Sequence, residues 1–89
     1  MDPNSVDQQR KMQLLARVVS VRDELEKAGL GCLLLRLDNE CFRILVRTQR
    51  LEAVEEQVPR LRLKWSDCIG IDLEPLPGGG VILTLGFEP

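Results

Sequence analysis

Cysteines, carboxylates and arginines are the groups through which this chain could do chemistry, because it has neither histidine nor tyrosine. Without imidazole there is no His–Cys or Ser–His pair and no zinc–imidazole site, the commonest routes to acid–base and metal chemistry near neutral pH. Cys32, Cys41 and Cys68 lack the close clustering and the fourth ligand that a metal site needs. An odd cysteine count at low density argues against a secreted disulfide framework and for free, buried thiols in a reducing compartment. In the hairpin register that sets Leu33, Leu35 and Leu37 beside Phe42, Ile44 and Val46, Cys32 falls opposite Leu45 or Arg47, which makes a Cys32–Cys41 bridge awkward. Asp72 and Glu74 are two apart on an expected strand and point to one side, as a cation site or an acid–base pair would, yet no third group converges on them. Gly78-Gly79-Gly80 lacks the Lys-Ser/Thr and the helix that make a glycine loop a phosphate cradle, and reads as a hairpin turn. No catalytic residue, cofactor-binding residue or metal ligand emerges, and the expectation is a protein that is not an enzyme.

The arginines offer binding instead. Arg36, Arg43, Arg47, Arg50, Arg60, Arg62 and Lys64 concentrate positive charge in the middle of a chain whose formal net charge is −2 and whose pI is about 5.1. Arg36, Arg43 and Arg47 fall on the outward face of an expected hairpin beside Leu34 and Leu45, and these five residues form one candidate partner-binding patch. Arginine pairs bidentately with carboxylates and is enriched at protein interfaces. It also grips phosphates, so an RNA-binding module led by the same arginines is the alternative. Glu40, Glu52, Glu55 and Glu56 interrupt the basic run, and two Phe and one Trp leave little for bases to stack on.

The elements that must position these residues follow from periodicity. Gln8 to Ala28 is helical, with Leu14, Val18, Val21, Leu25 and Ala28 at alternating spacings of four and three, the seam of a coiled coil. Leu14, Val18, Val21 and Leu25 are therefore a second candidate partner-binding surface, and Leu15 and Val19 widen one side of the stripe, as expected for a helix that also lies on a sheet. Gly29 ends the helix. A hairpin follows, with Asp38-Asn39-Glu40 as its turn. Arg50 to Val58 returns to helix, with Leu51, Val54 and Val58 on one side, until Pro59 stops it. Arg60 to Trp65 alternates basic and apolar residues, as a short edge strand or an irregular helical turn. Ile69, Ile71 and Leu73 alternate against Gly70, Asp72 and Glu74, and Val81, Leu83, Leu85 and Phe87 form the last strand. The order helix, hairpin, helix, hairpin (αββαββ) predicts an α+β fold, a four-stranded antiparallel sheet with two helices on one face.

Eighty-nine residues make one domain, which buries only about 60–65 % of its unfolded surface and gains from a partner interface. Asp2-Pro3-Asn4-Ser5-Val6-Asp7 is what adjacent BamHI, EcoRI and SalI sites encode in frame. Residues 1–7 thus read as an unstructured expression scar, and residues 8–89 as a single domain taken from a longer protein. No apolar run reaches the ~18 residues of a membrane span. The expected location is intracellular, cytoplasmic or nuclear, with a periplasmic parent left open by the fragment reading. In element order the chain resembles the periplasmic ends of type II secretion and type IV pilus assembly-platform proteins, and the small heads of coiled-coil kinetochore subunits. The first likeness implies a domain that dimerises; neither carries over a functional residue. The expectation is a non-enzymatic scaffold or complex-assembly module without a cofactor. It would form a homodimer or hetero-oligomer through the helix seam, the sheet face or an exposed strand edge.

Overall fold

Period-two alternation sends one set of apolar side chains in the strands to a single side of a single sheet. The computed structural model describes residues 3–38 and 40–88. Its elements run α1 (Pro3–Lys27), β1 (Gly31–Leu37), β2 (Cys41–Arg47), α2 (Leu51–Glu55), α3 (Val58–Lys64), β3 (Cys68–Pro75) and β4 (Val81–Phe87). The strands make one antiparallel sheet in the order β1-β2-β4-β3. At its centre Phe42 faces Leu85, Ile44 faces Leu83 and Val46 faces Val81. These six and Phe87 are buried in one cluster with Leu14, Val18, Val21 and Leu25 of α1, Val54 of α2 and Leu61 of α3. The chain thus adopts the expected α+β arrangement, with the helices on one face of a four-stranded sheet.

The helical seam meets a different partner from the one its spacing suggested. Leu14, Val18, Val21 and Leu25 are at most 6 % exposed and lie against the sheet, so α1 forms no coiled coil. A helix laid on a sheet and a helix in a two-stranded coil present the same stripe, and two heptads do not distinguish them. Here the sheet's apolar side occupies the stripe. α1 begins at Pro3, ahead of the expected Gln8, since proline in the first turn forfeits no helical hydrogen bond. Met1 and Asp2 of the leading segment, and Asn39 of the first turn, lie outside the described residues. At the other end Gly29 takes φ +82°, and the Leu30 and Gly29 N–H groups donate to the Leu25 and Glu26 carbonyls at 2.8 and 2.9 Å. This is a Schellman cap, and Leu30 joins Leu25 in the core as that motif requires.

Three further readings change. β1 carries a bulge between Leu34 and Arg36, so its faces switch partway along. Cys32, Leu34 and Leu37 pair with Val46, Ile44 and Phe42, which puts them on the helix side, while Leu33 and Arg36 pair with Leu45 and Arg43 on the open side. Leu34 thus leaves the outward patch to which alternation had assigned it, and Cys32 stands opposite Val46. β3 has a second bulge between Cys68 and Gly70. Cys68, Ile71 and Leu73 then face the helices, while Ile69 is 66 % exposed and packs beside Gly86. Pro59 does not end the helical segment: it falls in the first turn of α3, where its missing N–H costs nothing, and the chain bends between α2 and α3. The Arg60–Trp65 alternation is accordingly helical as far as Lys64, with Trp65 extended beyond it, burying Leu61 and leaving Leu63 89 % exposed.

Leu25→Ala removes a fully buried side chain at the α1 cap. It is expected to cost about 2–5 kcal/mol, read from urea unfolding followed by circular dichroism. Because this contact lies within one chain, the loss should not change with chain concentration.

Candidate functional site

The helices cover one face of the sheet; the side chains of the other face form a surface of their own. Two residue rows cross it at mid-strand. The first is Arg36, Arg43, Thr84 and Asp72, each opposite the next in strand order β1-β2-β4-β3, and the second is Leu33, Leu45, Ile82 and Glu74. Leu33 is 49 % exposed, and Leu45, Ile82 and Thr84 are half-buried by their neighbours alone. Ile69 extends the apolar ground over Gly86, and Arg47, two residues beyond Leu45, lies at the same face. Of the residues singled out in the sequence, Arg36, Arg43, Arg47 and Leu45 come together here. Leu34 does not, and Leu14, Val18, Val21 and Leu25 lie in the core. Leu33, Ile69 and Ile82, with Asp72 and Glu74 as members of this face, are the additions. Ile82 was legible as the far side of the last strand; Leu33 and Ile69 depended on bulges that periodicity does not announce.

Charge is distributed unevenly across this face. Its β1–β2 half carries Arg36, Arg43 and Arg47, and its β3 edge carries Asp72 and Glu74. Arg36 and Arg43 stand directly opposite one another, an arrangement of like charges that costs stability unless something offsets it. The Arg36 Nε donates to Asp38 Oδ2 at 3.0 Å, which neutralises one member of the pair. Among the described residues Arg43, Arg47, Asp72 and Glu74 enter none of the intramolecular ion pairs, which join Arg17 to Asp67, Arg22 to Glu26, Arg36 to Asp38 and Lys64 to Glu24.

The thiols do not converge. Cys32 pairs with Val46, Cys41 with Gly86 and Cys68 with Phe87, and all three are free. Burial pushes the Cys32 thiol up from its ordinary value, with Glu26 and Asp23 adding to the effect and Arg22 opposing it. Cys41 is likewise raised by burial, then by Asp38, whose Oδ2 accepts its S–H at 3.7 Å. Neither environment favours a nucleophilic thiolate. Among the described residues no cluster of His, Cys, Asp and Glu could hold a metal ion. A depression of ≈ 410 Å³ beside the β3–β4 loop is lined by Leu45, Arg47, Thr48, Gln49, Leu76 and the Gly78–Gly80 glycines. It offers one charged group and no acid–base pair. Those glycines hold φ of +90° to +109°, a run that only glycine sustains without strain, as befits a turn.

The aromatic residues gather on the helix side, with Phe42 and Phe87 buried and Trp65 partly so. Phe42 stacks on Phe87 at 5.6 Å between centroids, Trp65 meets Phe87 edge-on at 6.0 Å, and Arg17 caps the Phe87 ring at 4.4 Å while pairing with Asp67 at 2.8 Å. No helix of the described residues is long and apolar enough to cross a membrane. Compared with family models, curated proteins and solved structures, the chain matches none of them.

Raised thiol pKa values mean less thiolate at a given pH near neutrality. Cys32 and Cys41 are therefore expected to be alkylated by iodoacetamide more slowly than an unstructured cysteine peptide, with rates climbing as the pH is raised toward the thiols' shifted range. Peptide mapping by mass spectrometry resolves each site, and alkylation as fast as in the peptide would contradict these environments.

Proposed function

We propose that this domain is a non-enzymatic protein-interaction module whose contact surface is the helix-free face of the sheet. The observation that carries the reading is the row Leu33–Leu45–Ile82 with Ile69: apolar side chains on a face that no helix covers, in a domain whose core is complete without them. Antiparallel sheets commonly leave one face to water, but that face is then polar. Apolar residues rimmed by arginines and carboxylates have instead the make-up of a protein interface, an apolar centre within a polar rim.

An RNA-binding role for Arg36, Arg43 and Arg47 has less support. Sheet surfaces that read single-stranded RNA do so by stacking bases on aromatic side chains. Phe42 and Phe87 are buried on the helix side, with Trp65 edge-on to Phe87, so these arginines have no aromatic platform beside them. Asp72 and Glu74 on the same face would also repel phosphate.

A photo-crosslinking amino acid placed at Leu45, and for comparison at the exposed Glu52 of α2, tests this reading in cells that express the chain. Protein adducts are expected at position 45 and not at 52. Equal yields at the two positions, or adducts to RNA, would overturn it.

A further inference from the structure

Resting on that reading, we infer that the partner on the open sheet face is a second copy of this chain, stacked sheet against sheet about a two-fold axis parallel to the strands. The argument is the order of charge across the face. From β1 to β3 the first row runs Arg36, Arg43, Thr84, Asp72 and the second Leu33, Leu45, Ile82, Glu74. A two-fold axis parallel to the strands, midway between β2 and β4, reverses that order in the opposing copy while keeping each row at its own height. Arg36, whose Nε is held by Asp38, then turns its remaining N–H groups to the partner's Asp72, and Leu33 lies over the aliphatic stem of the partner's Glu74, whose carboxylate reaches toward the same guanidinium. Leu45 lies over the partner's Ile82, and the symmetry repeats each contact. An in-plane axis perpendicular to the strands would instead lay the arginine-bearing β1–β2 half over its own copy and the Asp72–Glu74 edge over its own, and like charges across an interface oppose association. The face is thus self-complementary in one orientation and self-repelling in the other.

Two other features favour face over edge. Both edge strands, β1 and β3, are bulged, at Leu35 and at Ile69, and bulges are a means by which sheets prevent strand addition at an edge. The rows that match lie at mid-strand, where sheets aligned at about 30° to one another diverge least. The size of the contact sets its strength. Four strands about 4.8 Å apart and seven residues long at about 3.3 Å per residue give a footprint on the order of 450 Å² per copy. That is the scale of a weak interface. The dimer therefore forms at high chain concentration and loosens as salt screens its charged rims.

Sedimentation equilibrium of the purified chain over a wide concentration range is expected to give a reversible shift from 10.1 kDa to twice that mass. Arg36→Glu and Asp72→Arg each place two like-charge contacts in a homodimer, and each is expected to raise the dissociation constant about tenfold. Mixed in equal amounts, the two variants restore opposite charges at both rims and should form a heterodimer about as tight as the original. Circular dichroism melts verify that each variant is folded. A chain that stays monomeric at every concentration overturns the inference, as does a dimer indifferent to both substitutions or a mixture without rescue. A monomeric chain that still yields adducts to another protein at position 45 removes self-association alone and leaves the binding module intact.

Discussion

β2 and β4 are the strands flanked on both sides, and their pairing through Phe42–Leu85, Ile44–Leu83 and Val46–Val81 joins two hairpins, neither able to keep a core alone, into one sheet with a continuous apolar side. The rest of the fold answers that side. α1 lays Leu14, Val18, Val21 and Leu25 on it, and the α2–α3 pair adds Val54 and Leu61. With every helix committed to one side, the far side is left to whatever the alternate residues of the same strands present. Core and open face are thus two readings of one register: a slip of a single residue would exchange them.

One end of the sheet is tied more tightly than composition foretells. The chain's three aromatic residues meet there, and Arg17 covers Phe87 while its guanidinium pairs with Asp67. Arg10 donates to the Glu88 carbonyl at 3.2 Å, and the Phe87 and Glu88 N–H groups donate to the Glu40 and Asp67 carbonyls at 2.8 and 3.0 Å. The chain's second half is thereby fastened to α1 and to the β1–β2 turn by polar contacts around an apolar cluster. Lys64 reaches Glu24 at 4.0 Å and also Ser20, which links α3 to the same helix. The few large rings serve closure of the domain, and the apolar part of the open face is built from aliphatic side chains.

Much of this was legible from the residue pattern, and the exceptions have physical causes. The helix ending at Gly29, the two hairpins, the glycine turn and the identity of the β2 and β4 core residues follow from periodicity and local backbone preference, because those signals act within a few residues. The β1 and β3 bulges do not, since a single extra residue in an apolar run such as Leu33-Leu34-Leu35 leaves the look of the run unchanged while sending Leu33 to the open side and Leu34 to the helix side. The spacing in α1 shows a stripe that must be covered, and its coiled-coil reading fails because a heptad shows that a helix is covered without showing what covers it. Pro59 reads as a stop from its sequence neighbours, whereas the structure makes it a start. The open surface was found in part: its arginines and Leu45 stand out by type, whereas its carboxylate edge exists only once β3 is known to lie beside β4 and away from β2.

The strand order also bears on how the chain reaches this state. β1–β2 and β3–β4 each close through a short turn, but β2–β4 joins Cys41 to Gly86 and Val46 to Val81, with α2, α3 and a whole strand in between. Closing so long a loop costs more entropy than closing either turn, and pairings distant in sequence are slow to form. Of the three strand pairings, β2–β4 is therefore the costliest in loop entropy. The bent α2–α3 connection spans that loop, so the segment that adds Val54 and Leu61 to the core is also the one whose ordering brings the two hairpins together.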